Sequence, residues 1–222
     1  MIILGLTGSI GMGKSAAAKN FRRLGVPVHD ADRAVHAMMD KGGEAAEAIA
    51  AMFPAAVHRG VINREVIAAE VFTDPGALER IEGVLHPLVR GREKRFLDRC
   101  ARQGRQMVVL DVPLLFETKG ETRCDGVVTV SAPAFVQSQR VLKRPGMTPE
   151  RLKSILARQM TDFEKRKRSD FVINTGLGRD YSLLQIQNVV RLASQWKGRH
   201  WPPRTIAERP PRRITLREKT KD

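Results

Sequence analysis

The stretch IILGLTGSIGMGKSAAAKNF, residues 2–21, constrains the fold of this chain more than any other. An apolar run hands over to Gly8, Gly11 and Gly13, then to Lys14, Ser15 and a helix-like segment. One glycine would serve a turn, and three before a lysine need another reason. Gly8 to Ser15 fit G-x-x-x-x-G-K-[ST], in which glycines let successive backbone N–H groups point into one anion-sized hollow. A helix starting near Lys14 adds the positive end of its dipole. Lys14 then reaches the β- and γ-phosphates of a nucleotide, and the Ser15 hydroxyl ligates Mg²⁺. At average glycine usage, a chance match somewhere in such a length has odds of about 1%. Here the flanking strand and helix are also present, so the chain is expected to bind a nucleoside triphosphate.

Short apolar runs at 26–30, 106–113, 126–132 and 171–175 join 2–6 as five expected strands. Helical patterns at 14–24, 134–143, 148–161 and 180–195 separate them. Such alternation predicts an α/β fold, a five-stranded parallel sheet with helices on both faces. Residues 31–103 read as helical almost throughout, without a convincing strand. Breaks are expected at Gly42-Gly43, Pro54, Gly60, Asp74-Pro75-Gly76 and Pro87.

The 222 residues carry a formal net charge of +15, unevenly spread. Residues 140–168 hold ten Lys or Arg against three acids, and 197–222 hold nine against three. The tail from 198, rich in proline and charge, reads as extended or disordered. Two cysteines, Cys100 and Cys124, show no zinc or redox spacing and suit a reducing cytosol. The apolar start is too short for a signal peptide and lacks a basic leader, and no stretch approaches a membrane span. A cytoplasmic protein is expected.

No N-K-x-D guanine-reading motif follows the loop, which argues against a GTPase. A small kinase fits the size: sheet, helical insertion for the acceptor, basic flap over the phosphates. At the end of the second expected strand stands His29-Asp30-Ala31-Asp32, where ligands of open α/β sheets bind. Asp32 could accept the acceptor's hydroxyl proton. Equally, Asp30 or Asp32 could cap the next helix.

With these residues in view the chain resembles the dephospho-CoA kinases. The resemblance spans about residues 2–195 and rests on LTGSIGMGKS, VHDAD, LHPLVR (85–90), DVPLLFE (111–117) and the block from Gln139 to Gly176. It implies transfer of phosphate from ATP, with Mg²⁺, to the ribose 3′-hydroxyl of dephospho-CoA, giving CoA and ADP. It also implies a kinase core at 1–32 and 105–197, a CoA-binding helical insertion at 33–104 and a lid at about 140–168. Asp32 matches the family's proposed base, with Lys14 and Arg140 beside it in catalysis. ATP would be held by Gly8, Gly11, Met12, Gly13, Lys14, Ser15, Ala16, Arg144 and Lys165. Arg140 and Arg144, at i and i+4, would share a helix face. The acceptor would meet Asp30, Asp32, His86, Pro113, Leu114 and Leu115, although Pro87 also suits the first turn of a helix with His86 capping it. Asp111 occupies the place of a carboxylate that holds Mg²⁺ through water, and Glu117 matches without a defined role. Lys167 and Arg168 read as solvated or phosphate-steering. Asn174 departs from a common aspartate.

Two rival readings stay open at this level. One is a kinase for another nucleoside or nucleotide acceptor. The other is an RNA-associated P-loop protein with the tail as binding arm, which 5% aromatic content and no recognisable RNA module disfavour.

Overall fold

The computed structural model describes residues 1–58 and 61–202. The five expected strands form one sheet: β1 (Ile2–Thr7), β2 (Val28–Asp30), β5 (Met107–Asp111), β6 (Gly126–Ser131) and β7 (Phe171–Asn174). Its order is β2-β5-β1-β6-β7, and every neighbouring pair is parallel. Between β2 and β5 lies the insertion, with α2 (Ala31–Met39), α3 (Ala46–Met52), α4 (Arg64–Thr73) and α5 (Pro75–Arg102). The expected absence of strands there needs correction. Val57–His58 (β3) and Val61–Ile62 (β4) pair antiparallel, too short a ladder to leave a period-2 signature in the sequence.

Side-chain alternation explains why β1 is wholly buried. Ile2, Leu4 and Leu6 join one core with Ala17, Ala18 and Phe21 of α1 (Lys14–Arg23) and with Ile186 and Val189 of α9 (Arg179–Ala193). Ile3 points the other way, into a core with Val108, Leu110, Phe96 and Leu97. A strand with helices on both faces must be apolar nearly throughout, and this one is from Ile2 to Leu6, with the buried Thr7 at its end. A third core holds residues between Ala34 and Leu85 of the insertion. Thus α5 serves two cores, Ile81 and Leu85 in the insertion and Phe96, Leu97 and Cys100 under the sheet. Helix α1 closes on the expected Gly25: its N–H bonds the Arg22 carbonyl, and the Val26 N–H bonds that of Phe21.

Three further expectations are revised. Pro87 does not break the chain, because α5 runs unbroken for 28 residues, so His86 caps nothing. Helix α6 (Ala134–Leu142) stops before Arg144, which lies in the following turn with its N–H on the Val141 carbonyl. The expected helix 148–161 is α7 (Pro149–Ala157), and a separate α8 (Asp162–Arg168) follows. Thr161 and Glu164 form a reciprocal capping box that starts this new helix. The proline-rich tail from 203 lies outside the described residues.

Candidate active site

The glycine-rich loop leaves β1 at the centre of the sheet, where the chain, having run to the β2 edge and back to β5, crosses to β6. Ligands of open α/β sheets gather at such a point, beyond the carboxyl ends of the strands. Gly11 and Gly13 have φ of 77° and 90°, and a Cβ on Gly11 would stand 2.5 Å from Val141 Cγ2. Gly13 leads into α1 with no side-chain cap, leaving the first N–H groups of that helix for an anion.

A cleft of about 400 Å³ opens over this loop. Gly8, Gly11, Gly13, Lys14 and Ser15 form its floor; Asp32, Pro113, Arg140 and Arg144 stand in its walls. Nine residues chosen from the sequence are therefore gathered in one place. The Lys14 ammonium lies 2.6 Å from Asp111 Oδ1, and that carboxylate is almost fully buried. Asp111 and Asp30 are register partners on β5 and β2, so the acids converge by strand pairing. Burial pushes the Asp111 carboxyl above its ordinary range; Lys14 opposes this, and Asp30 and Asp32 add to it.

Asp30 and Asp32 part company here. Asp30 caps α2, accepting from the Arg33 N–H at 2.9 Å. Asp32, in the first turn of that helix, turns to the cleft. It is open to solvent, yet the cleft walls desolvate its carboxyl enough to raise its pKa, with Lys14 pulling it down and Asp30 pushing it up. The arrangement suits a proton acceptor facing a phosphate-binding floor.

Arg140 is fixed before any ligand is considered. One guanidinium nitrogen donates to Thr175 Oγ1 at 3.0 Å, the other to the Thr175 carbonyl at 2.7 Å. The Thr175 hydroxyl donates in turn to the Met12 carbonyl at 2.6 Å. Arg144 is exposed and its guanidinium makes no hydrogen bond or ion pair among the described residues, so its charge is available to the cleft.

Several expected residues sit elsewhere. Lys165 is fully buried, with its ammonium 2.9 Å from Glu117 Oε1 and 3.0 Å from the Pro113 carbonyl, behind the cleft. Leu115 is fully buried in the core under the sheet and Leu114 is exposed, so of that segment Pro113 alone borders the cleft. His86 and Pro87 are exposed on α5 and outside the cleft wall. Met12 is buried, its sulfur accepting from the Ala132 N–H, which leaves only its backbone for a ligand. Ala16 is exposed on α1, its N–H bonded to the Gly13 carbonyl. Arg168 pairs with Glu121 at 2.9 Å and lies over the Phe116 ring. Asn174 accepts from the Gly176 N–H at 2.8 Å, a bond an aspartate would equally make.

Sequence reasoning missed Gln137, Gln159 and Thr175. Gln137 donates to the Ile10 carbonyl at 2.8 Å, and Gln159 accepts from the Ile10 N–H at 3.1 Å. All three hold the phosphate-binding loop from 127 to 163 positions away in sequence. Their only signal was their place inside the quoted block from Gln139 onward, or just before it.

Loop, facing carboxylate and basic flap over a parallel sheet define a P-loop kinase. The dephospho-CoA kinase family model matches residues 2–178. A dephospho-CoA kinase of Paramagnetospirillum magneticum is 59% identical over 166 residues, 75% of this chain and 78% of that protein. One of Rhodopseudomonas palustris is 50% identical over 195 residues, 88% of this chain and 97% of that protein. In three dimensions, the crystal structure of TT1252 from Thermus thermophilus superposes with a TM-score of 0.77 at 35% identity, covering 88% of this chain and 98% of the other. The chain belongs to the dephospho-CoA kinase family.

Proposed function

We propose that this protein transfers the γ-phosphate of ATP to the ribose 3′-hydroxyl of dephospho-CoA, the last step of coenzyme A synthesis. The observation that carries the reading is Asp32 in the wall of the same cleft whose floor is the Gly8–Ser15 loop. A nucleotide-binding loop alone would hydrolyse or merely bind; a carboxylate facing it gives a hydroxyl acceptor its base.

The triphosphate lies along the loop, met by backbone N–H groups and the start of α1. Lys14 exchanges Asp111 for the β- and γ-phosphates. Asp32 takes the proton of the 3′-hydroxyl as its oxygen bonds the γ-phosphorus, and the bond to the β,γ-bridging oxygen breaks to release ADP. Arg140 and Arg144 neutralise charge on the transferring group. Closure of the segment 140–168 excludes water, so that the acceptor hydroxyl is the only nucleophile at hand. The insertion 33–104 supplies the acceptor's binding surface.

The residues fit Mg²⁺ carried in with the nucleotide. Among the described residues no group of three or more His, Cys, Asp or Glu could hold a metal by itself. Mg²⁺ is bound in kinases through one or two carboxylates and substrate phosphates, and Ser15 and Asp111 would hold it here. Bound there, it neutralises phosphate charge. Among the described residues no helix is long and apolar enough to cross a membrane. With two free, buried thiols, we place the reaction in the cytoplasm.

The test is mass-spectrometric detection of CoA from purified protein, MgATP and dephospho-CoA, with Lys14→Ala as the blank. CoA from the wild type alone is the expected result. ATP consumed without CoA would overturn the acceptor assignment and turn the search to other nucleosides and nucleotides.

A further inference from the structure

Lys165 lies in the most basic run of the chain, yet of its neighbours it alone is fully buried. Its ammonium contacts Glu117 and the Pro113 carbonyl. That carbonyl also accepts from the hydroxyl of Thr7, the last residue before the phosphate-binding loop, at 2.9 Å. Glu117 Oε1 accepts in addition from the Met160 N–H at 2.8 Å. Gln159, next to Met160, holds the Ile10 N–H of the loop. Thus the turn between α7 and α8, where the lid returns to the core, is tied at one node to β1, to the exit of β5 and to the loop itself.

We propose that Lys165 and Glu117 are a positioning pair that fixes the return of the lid against the phosphate-binding loop, and that Lys165 does not touch phosphate. Burying an ion pair costs desolvation, and apolar residues of like volume would hold the elements together as well or better. What the pair adds is direction. The lysine's donors address two acceptors on one segment, and the glutamate's second bond sets the backbone of Met160. Lid helix α7, which ends one turn earlier, carries Ile155 into the cleft wall. A loosened return would let that wall and Gln159 drift from the loop, misplacing reacting groups while the loop still binds nucleotide.

The inference rests on the kinase reading, and wild-type CoA formation in the same assay tests that reading separately. Lys165→Met, Glu117→Gln and the double variant are compared for kcat, both KM values, Kd for MgATP without acceptor, and Tm. Each single change is expected to lower kcat at least about tenfold while the ATP Kd stays within about threefold, a loss confined to the reacting complex. The double variant is expected to lose no more than the worse single one, since residues acting as a unit are not additive. A fall in kcat for Lys165→Met with Glu117→Gln unaffected would mean direct phosphate contact and overturn the proposal. So would a lower Tm with kcat and KM unchanged, which marks a purely structural pair. Should either single variant fail to fold, the double, which leaves no buried charge unpaired, decides alone: reduced kcat at unchanged ATP Kd supports the pair, and wild-type kcat refutes it.

Discussion

Asp30 commits its carboxylate to the Arg33 N–H, whereas Asp32, two positions on, keeps its oxygens for the cleft. Asp32→Asn is therefore expected to lower kcat by about 10²- to 10⁴-fold, the range general base catalysis supplies, with little change in ATP affinity. Asp30→Ala should instead cost about 1 kcal/mol of stability through the lost cap. The pH profile carries the same distinction. Desolvation raises the Asp32 pKa, and a base must be ionised to act, so kcat should climb with pH along an acid limb above the ordinary aspartate value. A limb at or below that value would detach the profile from Asp32. The places of Lys14 and Asp32 at the cleft were legible in the sequence because short-range spacing against a strand end sets them. Lys165 was not. Four consecutive cations, Lys165 to Arg168, look alike until α8 docks on β6 and turns one of them toward Glu117, 48 positions away.

Helix α5 shows where local rules yield to tertiary structure. A proline inside a helix loses a hydrogen bond, clashes with the carbonyl four residues back and costs about 3 kcal/mol, so Pro87 reads as a boundary. The helix continues because both halves are independently anchored, Ala77, Ile81 and Leu85 in the insertion core and Phe96, Leu97 and Cys100 under the sheet. Residue 83, whose carbonyl the ring crowds, is a glycine with open space around its Cα, which gives the backbone room to bend. The sheet was legible since most of its strands carry an apolar run between glycines, prolines or helices, β2 with its His29 and Asp30 being the exception; the two-residue ladder of β3 and β4 carries no pattern to read. Since Pro87 is exposed, Pro87→Ala removes no buried contact and should restore part of the helix penalty. We expect stabilisation of about 1–3 kcal/mol, measured by denaturant unfolding. A variant less stable than the wild type would mean that the proline is required by the packing of the insertion on the core.

At the scale of the whole molecule, the surplus of positive charge divides between the lid and the tail, and the lid arginines Arg140 and Arg144 line the cleft. The described residues contain the phosphate-binding loop, Asp32 and both arginines, and the Rhodopseudomonas palustris relative is spanned to 97% by a match of 195 residues. Removing residues 203–222 should therefore leave kcat intact. Cutting before Trp196 should not, because that ring stacks on Phe171 of β7 at 5.3 Å and packs against the main core. Salt tells whether the tail helps to gather polyanionic substrates. Exposed charges steer ligands over roughly a Debye length, about 10 Å at 0.1 M, and that steering fades as ionic strength rises. Lys14, Arg140 and Arg144 lie at the cleft itself, so kcat/KM for both substrates should fall with added salt. The slope should be the same with and without residues 203–222. If truncation flattened it, the tail would be collecting ATP or dephospho-CoA from solution, and the electrostatic reach of the enzyme would extend well beyond its lid.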